Sequence, residues 1–182
     1  MGWELSKKKL RTVQKGEATA GLRASDPTRV TSEDLAGLAF FENVSGWALR
    51  RLARSATRRQ LEQGTMVVRQ NDEARSVYFL LSGAVHILVH FEEVGDLLVG
   101  VQRDKGSLVG WSAFMAPYRY TSSVRCEEAS ELLRIPRDTF DIVFEEDAYL
   151  GYKILKKVAT TVDTRLEGAV TFLDSPLVPA EL

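Results

Sequence analysis

The chain has 182 residues, 45% of them hydrophobic and 27% charged, a net charge of −1 and a single cysteine. That balance fits a soluble globular protein with room for one real core. It excludes a disulfide scaffold, a membrane span of about 20 apolar residues and a strongly basic nucleic-acid-binding domain.

Residues 1–30 carry seven Lys/Arg against Glu4, Glu17 and Asp26, with Gly16, Gly21 and Pro27 as breakers. They read as a basic, flexible N-terminal segment. The opening formally fits a Met-Gly-x-x-x-Ser acylation pattern, but the bulky Trp3 beside Gly2 suits that pattern poorly, so a solvated tail is expected. With no apolar signal core either, the expected location is cytoplasmic, with no membrane attachment.

A domain is expected over 31–174. Thr31 with Asp34 three residues on signals a capped helix carrying Leu35 and Leu38. A second helix is expected after Ser45, with Leu49, Leu52, Ala53 and Ala56 inward. From about 59 to 135 the rhythm changes to seven or eight short apolar runs, among them "TMVVRQ", "VYFLL" and "AVHILVHF", separated by turn residues. The fold class expected is α+β: a β-roll, of double-stranded β-helix or jelly-roll type, with short N-terminal helices and a long C-terminal helix. A helix with Phe140, Ile142 and Val143 follows Pro136. A longer one then carries Leu155, Val158, Val162, Leu166, Ala169 and Leu173 at helical spacing. That stripe must bury itself on the roll or on a second copy, so a homodimer through 150–173 is expected. Residues 175–182 read as a frayed tail.

Catalytic and metal chemistry find little support. His86 and His90 are the only histidines and share one face of a strand with Leu88 and Glu92; no third histidine completes a metal set. There is no Gly-x-Ser-x-Gly, and Cys126 has no partner base in sequence and reads as a small buried hydrophobe. No enzyme and no metal are expected. The informative stretch is 106–124, "GSLVGWSAFMAPYRYTSSV". Glycine at 110 lets backbone approach a ligand closely, and the turn after it offers N–H groups to an anion. The candidate ligand-binding residues are Gly110, Trp111, Ser112, Ala113, Arg119, Tyr120, Thr121 and Ser122. The ligand they suggest is a cyclic nucleotide or another small anionic or planar molecule, and no cofactor is fixed.

The order of these pieces resembles the cyclic-nucleotide-binding domain of the catabolite-activator (Crp/Fnr-like) family, over about 31–174. The pieces that carry the resemblance are two short helices, "VYFLLSGAVHILV", Gly-x-Leu-Val-Gly-x-Ser-Ala-Phe, a hydroxyl-rich strand ending Val-Arg, and a long helix. Asn71 stands where the family has a turn glycine, and Asn is the next-best residue for left-handed backbone. The resemblance implies a phosphate cassette reading Phe-Gly-Glu-x-Ala-Leu, then Pro-Arg-x-Ala-Thr-Val. Here the glutamate that grips the ribose becomes Trp111, and the arginine that pairs with the phosphate becomes Tyr120. Arg119 falls one place early. Losing a carboxylate–hydroxyl bond and an Arg–phosphate pair, each worth roughly 1.5–3 kcal/mol, weakens nucleotide binding by about 10²–10⁴-fold.

The resemblance therefore implies a small-molecule-sensing regulatory module with altered or weakened cyclic-nucleotide binding. It would act through its C-terminal helix on an unknown protein partner or as a dimer, with no helix-turn-helix domain of its own. The alternative is a non-ligand-binding interaction scaffold whose pocket is filled by Trp111 and Tyr120.

Overall fold

The computed structural model describes residues 29–174 except Val94, and side chains only as far as Glu167. The expectations for the N-terminal segment and for the tail lie outside these residues, apart from Val30, which is buried against the core.

Helix α1 (Ser32–Ala36) starts at the expected capping box. The Asp34 N–H donates to the Thr31 hydroxyl while the Thr31 N–H donates to the Asp34 carboxylate. A single 3-10 turn, Ala39–Phe41, follows. Helix α2 (Gly46–Ser55) begins at Ser45, whose hydroxyl accepts from the Ala48 N–H, and it buries Leu49, Leu52 and Ala53.

Eight strands then fold into two antiparallel four-stranded sheets. They are β1 (Thr57–Leu61), β2 (Met66–Val68), β3 (Ser76–Ser82), β4 (Val85–Phe91), β5 (Gly95–Gln102), β6 (Leu108–Val109), β7 (Ser123–Cys126) and β8 (Ser130–Pro136). One sheet runs β1-β8-β3-β6 and the other β2-β7-β4-β5. Strand β1, "TRRQL", has no apolar alternation and was not expected as a strand. Tertiary pairing creates it: it runs along β8 from Thr57↔Arg134 to Leu61↔Ser130. Arg58 fixes it there, its guanidinium 2.8 Å from both Asp34 of α1 and Glu131 of β8. Burial alone would raise the Asp34 pKa, but hydrogen bonds from Thr31 and the charge of Arg58 outweigh it and hold the carboxyl below its usual value.

The sheets close on Val77, Phe79, Leu80, Val85, Val124, Cys126, Leu132, Leu133 and Ile135, all nearly inaccessible. Cys126 is buried, as expected, and burial pushes its thiol pKa up. Phe79 meets both Phe40 and Phe41 with tilted rings at 5.0 Å, tying the sheet to the 3-10 turn. Between β3 and β4, a Cβ on Gly83 would lie 2.6 Å from the Ala129 carbonyl, so this tight turn, with φ +86°, admits only glycine.

Two helices finish the domain: α3 (Arg137–Glu146) and α4 (Ala148–Asp174). In α3, Phe140 and Val143 are buried as expected, whereas Ile142 is exposed. In α4 the buried stripe is Leu150, Ile154 and Val158, so Val158 is buried as expected, whereas Leu155 and Leu166 are exposed. Spacing alone left this ambiguous, because apolar residues occupy two adjacent faces of the helix. Gly151 settles the phase: a Cβ there would meet the Phe144 ring at 3.2 Å, so α4 crosses close to α3 on this face. Val162 continues the stripe half-buried, and the side chains of Ala169 and Leu173 lie outside the described residues.

Candidate ligand-binding site

The stretch 106–124 spans the end of one sheet and the start of the other. Strand β6 pairs with β3 through Tyr78↔Val109. Gly110 then turns the chain with φ +78°, in the left-handed region. A 3-10 turn, Trp111–Phe114, follows, closed by the Ala113 N–H donating to the Gly110 carbonyl. Asn71 does adopt left-handed backbone, with φ +68°, and its N–H donates to the Tyr120 carbonyl at 2.8 Å.

Six of the eight candidate residues come together. Gly110, Trp111, Ser112, Tyr120, Thr121 and Ser122 line a small concavity with Val68, Ile87, Val109, Val124 and Arg165. The Ser112 hydroxyl accepts from the Thr121 N–H at 3.4 Å and lies 3.5 Å from the Thr121 hydroxyl. Ala113 is fully buried behind this wall.

Arg119 is not part of the group. It is exposed and absent from the lining of the concavity, and its guanidinium donates to the Asn71 carbonyl at 2.7 Å. Neighbouring side chains of extended backbone point to opposite faces, so Tyr120 takes the inward position. Its ring packs where a Cβ on Gly110 would come within 3.0 Å, and its hydroxyl donates to the Ser76 carbonyl at 2.8 Å. Burial raises the Tyr120 phenol pKa far above the usual value, so it stays neutral. What remains of the concavity is about 10 Å³. A water needs about that much, and a nucleotide far more.

A second cavity, of about 1230 Å³, opens beside Trp111. Its walls are the β4–β5 hairpin, the 3-10 turn at Phe40, the β6 approach, the C-terminal half of α4 and, from the candidate stretch itself, Trp111, Thr121 and Ser122. The two spaces adjoin: Ile87, Trp111, Thr121, Ser122 and, from α4, Arg165 line both. The Arg165 guanidinium lies 4.2 Å from the Trp111 ring centroid and donates to the Leu108 carbonyl. Burial pulls its pKa down to about 10, which leaves it charged at neutral pH. The sequence reading missed Arg165. It lies 54 residues beyond Trp111, and only its helical phase could have flagged it: seven residues after Val158, it falls on the buried face of α4.

Two contacts therefore couple this stretch to the long helix. One is Arg165 on Trp111. The other runs through Phe114, whose ring meets Phe140 at 5.0 Å and Phe144 at 6.1 Å, and Phe144 abuts Gly151 of α4.

His86 and His90 each face one carboxylate: His86 Nε2 lies 3.3 Å from Glu127, and His90 Nδ1 lies 2.7 Å from Asp96. Among the described residues no group of three or more His, Cys, Asp or Glu is placed to hold a metal ion. No helix among them is long and apolar enough to cross a membrane.

Comparison with known proteins agrees with this geometry. The family described as Cyclic nucleotide-binding domain matches residues 58–147. A protein of Geobacter metallireducens GS-15 assigned to cyclic-nucleotide binding superposes with a TM-score of 0.66 at 23% identity, over 75% of this chain and 98% of that one. The sensor domain of the transcriptional regulator DNR from Pseudomonas aeruginosa gives 0.62 at 24% identity, over 73% and 89%. Lysophospholipase nte1 of Neurospora crassa is 24% identical over 117 residues; the match takes in 64% of this chain but only 7% of that enzyme's length. The family matched is a binding domain, and its roll and flanking helices are those found here. Residues 58–147 are a match to the cyclic-nucleotide-binding domain family, and the chain has the cyclic-nucleotide-binding-domain fold.

Proposed function

We propose that this domain is a small-molecule-sensing regulatory module whose own cyclic-nucleotide site is weakened, and that it signals through α4 to a partner or a second copy. The observation that carries the reading is the contrast between two spaces sharing the Trp111 wall: about 10 Å³ behind Tyr120 and about 1230 Å³ beside α4. The cassette backbone survives, with the Gly110 turn and the Ser112–Thr121 contact. The positions where the family places a glutamate and an arginine hold aromatic rings instead. A phosphate entering the small concavity would meet no Arg119 and no carboxylate partner for its sugar, so its desolvation would go uncompensated. The sensing role of the DNR domain of the same fold supports the regulatory reading. Exposed Tyr149, Tyr152 and Leu155 along α4 support the helix as the output surface.

The closed concavity also favours a second reading, a scaffold that binds no ligand and offers α4 alone. Calorimetric titration with cyclic AMP and cyclic GMP, with mass spectrometry of any molecule carried through native purification, separates the two. The expected result is weak nucleotide binding indifferent to Arg119→Ala, together with a co-purifying small molecule. Micromolar or tighter nucleotide binding abolished by Arg119→Ala would overturn the weakened-site reading. A chain that carries nothing and binds nothing would favour the scaffold.

A further inference from the structure

We propose that the cavity between the β4–β5 hairpin and α4 binds a medium- or long-chain carboxylate, its apolar body on the sheet and helix side chains and its carboxylate on Arg165. The inference rests on the reading of this domain as a small-ligand sensor and names the ligand class and the residue that recognises it.

Size is the first argument. At about 1230 Å³ the cavity exceeds the range of roughly 300–1,000 Å³ usual for small-molecule sites, so it has room for a long body. Wall chemistry is the second. Ile87 and Val89 of β4, Leu98 and Val101 of β5, and Val162 and Leu166 of α4 face it and contribute to a mostly apolar surface, with Ser107, Thr121, Ser122 and threonines of α4 among the remaining lining residues. Leu98, Val101 and Leu166 remain 48%, 37% and 61% exposed, so a concave apolar surface stands in water with nothing in the described chain to cover it.

The cations on the wall fix the head group. Two cations line the cavity. Lys157 is engaged: its ammonium donates to the carbonyls of Ala39, Phe40 and Glu42 at 3.2, 2.9 and 3.0 Å, and an ammonium has three protons. Arg165 is not. Of five guanidinium N–H groups, one hydrogen bond goes to the Leu108 carbonyl, and the flat face rests on Trp111. No carboxylate among the described residues forms an ion pair with it, Glu42 on the cavity wall included. A partly desolvated cation without a counter-ion is costly, and a ligand carboxylate is the group whose two oxygens fit the guanidinium fork. A neutral lipid would leave that cost in place. Because Arg165 also braces Trp111, an anion drawing the guanidinium towards the cavity loosens the contact between α4 and the 110–122 stretch.

Calorimetric titration of the full chain with decanoate tests this. One site is expected, with affinity rising about fourfold per methylene from octanoate to decanoate. Arg165→Met should weaken decanoate roughly 10- to 100-fold, and Arg165→Lys should recover part of the loss. Decanol should bind the wild-type chain more weakly than decanoate by a similar factor. Leu98→Asp, at an exposed position and therefore safe for folding, should weaken decanoate as well, and thermal melting checks that each variant is folded. Decanoate that does not bind, binds as well without Arg165, or is matched by decanol overturns the proposal. If decanoate fails while a different small molecule co-purifies, the sensor reading stands and this one falls. If decanoate fails and the chain carries nothing, both fall.

Discussion

The space behind Gly110–Tyr120 and the space beside α4 share the indole of Trp111 and the guanidinium of Arg165, yet one is closed and the other open. On the closed side, the inward positions hold rings that satisfy themselves: the Tyr120 hydroxyl ends on the Ser76 carbonyl, and the indole on a cation. On the open side, apolar side chains end in water and a guanidinium has donors to spare. The Gly110 turn thus stands beside a closed space, while the cation with donors to spare comes from the long helix. A fold can keep its frame and relocate its chemistry by exchanging a few side chains.

The most drastic way to break this contrast is to reopen the closed side. The double variant Trp111→Glu/Tyr120→Arg restores the family's two polar grips, and cyclic AMP should then bind about 10²–10⁴-fold more tightly than to wild type by calorimetry. A folded double variant with no gain would mean that more than these two positions closes the site. A smaller effect comes from a paired glycine test. Gly110→Ala puts a Cβ 3.0 Å from the Tyr120 ring and 3.3 Å from the Ser76 carbonyl at φ +78°, and should cost about 1–3 kcal/mol in urea melts. Gly100→Ala, on the open side, meets nothing nearer than Ile87 at 3.9 Å and should change stability by less than about 0.5 kcal/mol. Equal costs would show that the two sides do not differ in packing.

The smallest effect lies away from both spaces and serves as a control. The Asp34 pKa is depressed in the folded chain, so its contribution is present above about pH 4 and lost as pH falls through its lower folded value. Asp34→Asn should flatten the acid limb of the stability profile and leave both spaces untouched. An unchanged acid limb would remove the Thr31–Asp34–Arg58 account.

Much of the frame was legible in the sequence because its signals are local. Thr31 and Ser45 announce helix starts through side-chain acceptors a few residues away, and Asn71 and Gly110 mark left-handed backbone. The short apolar runs gave seven of the eight strands. What was not legible depends on partners distant in sequence. Strand β1 exists because β8, some 70 residues on, offers it an edge and Glu131 holds Arg58. The phase of α4 depends on Phe144 fitting over Gly151. The candidate site divides the same way: the cassette stretch could be read, including the one-place offset of Arg119, but the cation that serves it comes from another element and no local pattern announces it.

Lys157 has one more consequence. Its three hydrogen bonds clasp the carbonyl ends of the Ala39–Phe41 turn, whose rings in turn grip Phe79. A one-turn slide of α4, about 5.4 Å, would break all three bonds at once. The long helix is therefore hinged to the front of the domain at its middle. A tilt that keeps these three bonds has Lys157 as its pivot, and the displacement it produces grows with distance along the helix from that residue.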